Sequence, residues 1–446
     1  MNRPSFRVAL AALSMVVVAC GSTQDADVPA AGEPTAESAS PIAAADLDHG
    51  AGLSTADPAD VGMSADGLAR IRPAMQAYID DGRLAGVVTM VARQGQVVHW
   101  DAVGLRDLGA SNDTLEPDDI FRIFSMTKPI TSVSVMVLVE EGKAALDDPL
   151  SKFVPEFADV TVLMADGDRV APDGPITIQH LLTHTSGLTY GFFGVSAVDR
   201  LYNESGLFAE AQGLEDFAVR VADLPLLAHP GERWNYSVST DMLGRVVEVA
   251  SGQTFDEFVR TRITEPLGMD DTAFHVSSDK LDRFTGNYAR PEGTLQLTDS
   301  PVDGPYTRPA VWLSGGGGLT STASDYIRFA QMLLQGGELD GVRILETDTV
   351  ETMRTNHLPE SFIPISVGTY LSPGYGFGLG FAVLVDDAAS PEPDHTGVHR
   401  WAGAANTFFW IDPEAELIGM LWTQITPFAV YDIEREFQTL VYEALQ

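Results

Sequence analysis

The sequence is short of several things that would point to common function classes. Cysteine occurs once, at position 20, so no disulfide can form within the chain. Basic residues are scarce: 27 Lys and Arg stand against 63 Asp and Glu, a formal net charge of −36. Such a chain repels nucleic acid and anionic membrane surfaces, so DNA and RNA are not expected as partners, and its acidity is read as a means of staying soluble. Long apolar runs are missing as well, and no stretch after the N-terminal region could form a transmembrane helix. Gly-x-Ser-x-Gly occurs nowhere, which weighs against an ordinary α/β-hydrolase. His180 and His184 have i, i+4 spacing, yet no His-Glu-x-x-His motif or third ligand accompanies them. Gly315–Gly318 lacks the Lys-Ser/Thr that would follow in a phosphate-binding loop, and it is read as a tight turn. No metal and no organic cofactor is therefore expected.

What is present begins with "MNRPSFRVALAALSMVVVACGS". Arg3 and Arg7 precede an apolar run from Val8 to Ala19, too short to span a bilayer and of the form of an export signal. "VVAC" followed by Gly21 resembles a bacterial lipoprotein signal, in which Cys20 becomes the lipidated first residue; an ordinary secretory signal is the alternative. The expectation is an exported protein, tied to the cell envelope through Cys20. Residues 21–57 are rich in Ala, Pro, Ser, Glu and Asp and are expected to be a disordered tether.

Residues 58–446 hold ample apolar material for a core, the whole chain being 45% hydrophobic. Leu68, Ile71, Met75 and Tyr78 lie at helical spacing after Ser64, a candidate N-cap, with Pro73 expected to kink the helix. "GVVTMVARQGQVVHWDAVG" predicts a hairpin about Gln94-Gly95. "NTFFWID" and "ELIGMLWTQ" predict two further strands, and "DIEREFQTLVYEAL" a closing helix. The segment from about 144 to 326 is richer in helix and loop. The layout implies an α+β fold: an antiparallel sheet built from both chain ends and flanked by helices, with a mostly helical sub-domain inserted. The cleft between the two lobes is the default place for a site. Thr322 and Asp325 read as a capping pair, and Asp325 and the other acids as solvated surface.

"FSMTKPIT" at residues 124–131 holds the candidate chemistry. Pro129 is tolerated without loss only in the first turn of the apolar helix that follows, which puts Ser125 at the helix entrance. Free backbone N–H groups there favour a developing anion. Three residues on, Lys128 lies about 60° round the same helix. Buried at that end, its amine would lose basicity and could accept the serine proton. The plain alternative is a capping serine beside a solvated lysine.

Companion segments decide between the two. "WNYSVSTDMLG" supplies Tyr236, "HRWAGAANTFFWIDP" a Trp-Ala-Gly, and "HLLTHTSGLTYG" and "SGGGGLTSTASDYIRF" punctuate the middle. In this order they resemble the serine β-lactamase and penicillin-recognising superfamily, and within it the family VIII carboxylesterases, over nearly everything from Asp60 to Gln446. The resemblance implies Ser125 as acylated nucleophile, Lys128 as its base and Tyr236 as a partner in proton transfer. It implies an oxyanion hole of the Ser125 and Ala404 amides. Two departures bear on substrate. Val238 stands where β-lactamases have the asparagine of Tyr-x-Asn, and Trp401-Ala402-Gly403 where they have Lys-Thr-Gly. An indole cannot pair with a carboxylate as an ammonium does. Val238, Trp401, Ala402 and Gly403 are thus expected to form an apolar wall suited to small neutral esters. His395-Thr396-Gly397 is a competing candidate for the third motif. The rival functions are a β-lactamase or D-Ala-D-Ala carboxypeptidase, and an inert envelope binding protein on the same scaffold.

Overall fold

The computed structural model describes residues 52–109 and 113–446. The export signal, Cys20 and residues 21–51 of the expected tether lie outside the described residues. The last residues of that tether belong to the folded body: Val97 donates its backbone N–H to Ser54 O at 2.8 Å, and Ala56 donates to Val97 O at 3.1 Å.

A seven-stranded sheet forms the centre, all its pairings antiparallel. Its strands in chain order are β1 (Gly86–Arg93), β2 (Gln96–Gly104), β3 (Tyr375–Phe377), β4 (Ala382–Leu384), β5 (His399–Gly403), β6 (Thr407–Asp412) and β7 (Leu417–Trp422). They lie in the order β3-β4-β5-β6-β7-β1-β2, so the two chain ends meet where β7 pairs with β1. The β1–β2 hairpin turns at Gln94 and Gly95, both with positive φ (52° and 76°), the geometry of a tight two-residue turn. The strands β3 and β4 carry no clear sequence signal, because "GYGFGLGFAVL" interrupts the alternation with glycine.

Both faces of the sheet are covered, and side chains alternate between two cores. On β7, Leu417 and Leu421 face one core while Ile418, Met420 and Trp422 face the other. The first core is closed by helices Ile71–Asp80 and Ile433–Tyr442, from opposite ends of the chain. The second is continuous with helix Ala323–Leu334 and with the helical lobe, which includes Ile178–Leu182, Leu214–Ala222 and Ser239–Ser251. Among the described residues no helix is long and apolar enough to cross a membrane.

The N-terminal helix breaks earlier than Pro73. Helix Ala65–Leu68, capped by Ser64 Oγ accepting from Gly67 N at 3.1 Å, ends before Ile71–Asp80 begins. Pro73 falls in the first turn of the second helix, where its missing N–H costs nothing.

Candidate active site

Ser125 sits in a single 3₁₀ turn, Phe124–Met126, that leads directly into the buried helix Thr127–Glu140. Pro129 occupies the first turn of that helix, as its chemistry requires. Phe124 has φ 42°, a left-handed conformation that costs a bulky L-residue energy and persists only where its surroundings enforce it. The enforcement is visible in the two residues before it. Ile123 N donates to Leu319 O at 3.1 Å, and the fully buried Arg122 guanidinium is fixed on Asp299 at 2.8 and 2.9 Å. The strain thus presents Ser125, half-buried, to the cleft.

Three groups surround Ser125 Oγ and Lys128 Nζ. Tyr236 OH donates to Ser125 Oγ at 2.7 Å, and Lys128 Nζ lies 3.2 Å from the same oxygen. Lys128 is completely buried and donates to Gly316 O at 2.6 Å and to Tyr190 OH at 3.0 Å. A neutral amine has two N–H groups and one lone pair. With both N–H groups taken by Gly316 and Tyr190, the lone pair faces the serine hydroxyl. Burial lowers the Lys128 pKa to about 7, against the partial opposition of the Asp241 carboxylate. Burial also raises the pKa of Tyr236 and, further, that of Tyr190, so both phenols stay protonated at neutral pH.

Asp241 organises the far side. Its carboxylate accepts from Ser314 Oγ at 2.6 Å, Gly316 N at 2.9 Å and Tyr190 OH at 3.4 Å. The glycine run is required for this closeness. A Cβ on Gly316 would lie 2.6 Å from both Asp241 Oδ2 and Tyr190 OH, and one on Gly315 2.5 Å from Thr240 O. Sequence reasoning misses Tyr190 and Asp241 altogether and reads Gly316 only as part of a tight turn. The one available signal is that "GLTYG", "YSVSTD" and "SGGGG" are short segments of polar and glycine residues between apolar stretches.

The third motif is resolved by register. β5 runs from His399, opposite Ile411, to Gly403, opposite Thr407, and its Gly403 end abuts the Ser125 turn. A Cβ on Gly403 would stand 2.3 Å from Ile123 O, so only glycine allows this approach. Trp401 packs on Tyr236 with ring centroids 5.4 Å apart. Its indole N–H favours the ionised form of that phenol but makes no well-formed hydrogen bond. His395 lies beyond the opposite end of β5, its Nδ1 2.6 Å from Asp412 Oδ2 at the end of β6. The Trp401–Gly403 motif, not His395–Gly397, stands at the serine.

Two expectations need correction. Val238 is fully buried in the apolar core at the entrance of helix Ser239–Ser251, so it offers no exposed wall to a ligand. Asp325 is not solvated: it is 7% exposed and accepts from Asp271 N and Thr272 Oγ1, each at 2.8 Å, while its own N–H is capped by Thr322. His180 and His184 serve different partners. His180 Nδ1 accepts from Thr177 N at 3.2 Å in a capping box, and His184, held well below its ordinary pKa by burial, packs 4.9 Å from the Tyr236 ring.

The arrangement can activate a serine and pass a proton between two oxygens. Comparison with known proteins agrees with that chemistry. The Beta-lactamase family model matches residues 71–443. Protein Rv1367c of Mycobacterium tuberculosis is 38% identical over 356 residues, covering 78% of this chain and 88% of the relative. Esterase EstB of Burkholderia gladioli is 33% identical over 394 residues, covering 82% and 93%. Among solved structures, EstCE1, a hydrolase with promiscuous acyltransferase activity, superposes with a TM-score of 0.73 at 28% identity, covering 84% of this chain and 99% of that one.

Proposed function

Since the chain belongs to the Beta-lactamase family, we propose that it is a serine hydrolase that cleaves neutral carboxylic esters through an acyl-enzyme. The observation that carries this reading is Ser125 Oγ held between Tyr236 OH at 2.7 Å and a buried Lys128 amine at 3.2 Å. Likeness to EstB and EstCE1 supports the ester as substrate.

Ser125 Oγ attacks the ester carbonyl and its proton passes to Lys128 Nζ. The carbonyl oxygen, now an anion, is held by the backbone N–H groups of Ser125 and Ala404, donors that are typically worth roughly 3–4 kcal/mol each in such sites. As the tetrahedral centre collapses, Tyr236 gives its proton to the leaving alkoxide and is reprotonated from Lys128. Water then enters, loses its proton along the same path in reverse, and releases the acid.

Trp401, standing where β-lactamases carry a lysine, supports a neutral substrate over a carboxylate-bearing β-lactam. Comparing kcat/KM for a chromogenic cephalosporin with that for p-nitrophenyl butanoate tests the reading. The ester is expected to be turned over with the higher efficiency, and preference for the cephalosporin would sink the esterase assignment. The promiscuous acyltransferase activity of EstCE1 favours a second reading, in which an alcohol rather than water takes the acyl group. Butyl butanoate formed from vinyl butanoate and butanol would support it.

Export and anchoring through Cys20 are part of the same proposal, supported by the N-terminal pattern alone. In a bacterial host the full chain should partition into detergent, and Cys20→Ser should move it to the aqueous phase; equal partition of both would rule out the lipid anchor.

A further inference from the structure

Three phenylalanines stand unusually open beside the Ser125 site. Phe192, Phe193 and Phe208 are 43%, 44% and 36% exposed. They form one group: Phe192 and Phe193 have centroids 4.6 Å apart, and Phe192 and Phe208 6.0 Å apart. The group is continuous with the proton-transfer machinery. Phe193 lies 5.7 Å from the Tyr236 ring and Phe192 5.2 Å from the Tyr190 ring, stacked on it. On its other side Phe193 reaches the hairpin formed by Ile365–Val367 and Tyr370–Ser372, where a Cβ on Gly368 would be 3.4 Å from Phe193 Cδ1. Contiguous exposed rings beside a catalytic cleft are the ordinary mark of a ligand-binding surface.

Which part of an ester meets them follows from the direction of proton transfer. Tyr236 delivers its proton to the oxygen of the leaving alcohol, so that oxygen must come within hydrogen-bond reach of Tyr236 OH. The carbonyl oxygen is drawn to the opposite side, toward the Ser125 and Ala404 amides. The alcohol portion therefore leaves past Tyr236, whose ring packs against the half-buried Trp401 and the exposed Phe193, with Phe192 beside the latter. We infer that the Phe192–Phe193–Phe208 collar binds the alcohol half of the substrate, and that this alcohol is neutral and carries an apolar ring system. Tilted rings open to solvent set no upper limit on size, and they reward a flat, rigid group over a flexible chain. The surplus of acids over bases in the chain disfavours an anionic alcohol. The inference rests on the proposed ester hydrolysis and adds the side and character of its specificity.

The test uses butanoate esters of one acyl group and several alcohols: methyl, ethyl, cyclohexyl and 2-naphthyl. All give the same butanoyl-enzyme, so kcat/KM reports the alcohol alone. Phe192→Ser/Phe193→Ser, with Phe193→Ser as the milder variant, should lower kcat/KM for the naphthyl and cyclohexyl esters about tenfold to a hundredfold. Methyl and ethyl butanoate should lose at least about fivefold less than the ring esters, and an unchanged thermal unfolding midpoint shows that the variant is folded. An equal loss on all four esters overturns the inference. So does an altered preference among methyl esters of acetate to octanoate, because the collar would then hold the acyl group. A change of oligomeric state in sedimentation without a change in alcohol preference would make the collar a contact between copies, which also overturns it. Failure of the esterase reading itself would look different: Ser125→Ala would keep hydrolysing methyl butanoate.

Discussion

Lys128 is the residue on which the pH behaviour turns. Its amine works as a base only when neutral, and burial holds its pKa at about 7. Below that value each unit of pH removes about nine-tenths of the neutral amine, so log kcat/KM should rise with a slope near 1 and level off above neutrality. Asp241 raises the Lys128 pKa, so its removal lets that pKa fall. Asp241→Asn should move the acid limb of the profile to lower pH while lowering the plateau, because an amide keeps one acceptor oxygen and either Tyr190 or Gly316 loses its partner. A limb that stays in place, or moves to higher pH, would mean that Asp241 does not act on Lys128. At this scale Ser125, Lys128 and Tyr236 were legible because each lies in a short local pattern. Tyr190, Asp241 and Gly316 were not. They converge on one amine from segments 51 to 126 residues away from one another in sequence, a juxtaposition that only packing creates.

Among the elements, the sheet divides into a part that serves the site and a part that serves the fold. Gly403 of β5 lies against Ile123 O, so Gly403→Ala must push the strand end away from the Ser125 turn. We expect kcat/KM to fall at least about a hundredfold, the loss typical of a displaced oxyanion donor, with the secondary structure retained. Unchanged activity would show that Ala404 need not approach the serine. Gly419 of β7 faces Trp410 across the β6–β7 pair, where a Cβ would come within 2.2 Å of the indole. Gly419→Ala should therefore destabilise the fold by about 1–3 kcal/mol, as overpacking in a rigid core does, measured as a fall in the urea midpoint. The β1–β2 hairpin could be read from Gly95 between two apolar segments, and the strands β6 and β7 from two near-continuous apolar runs on either side of Pro413-Glu414-Ala415. The break between Leu68 and Ile71 could not. The apolar spacing runs on unbroken through it, and only the docking of both short helices on Ile433–Tyr442 sets the bend.

For the molecule as a whole, 63 acidic residues against 27 basic ones leave most carboxylates without a basic partner. Exposed ion pairs contribute little each, so self-repulsion is the larger electrostatic effect on the compact state. Raising NaCl from about 0.02 to about 0.5 M should raise the thermal unfolding midpoint, since it screens charges more than a few ångströms apart. A lower midpoint would mean that the ion pairs outweigh the repulsion. The overall architecture was legible because its logic lies in order along the chain: strands at both ends, helices between. What the order did not carry was which substituents face the cleft, and so Val238, a wall residue by its place in the motif, lies in the core instead.

The central claim is that Ser125 carries the acyl group. Labelling the protein with a fluorophosphonate, followed by intact-mass measurement and peptide mapping, tests it directly. One adduct is expected, on the peptide containing Ser125, and none on Ser125→Ala. An adduct on another serine, or equal labelling of the Ser125→Ala protein, would contradict it.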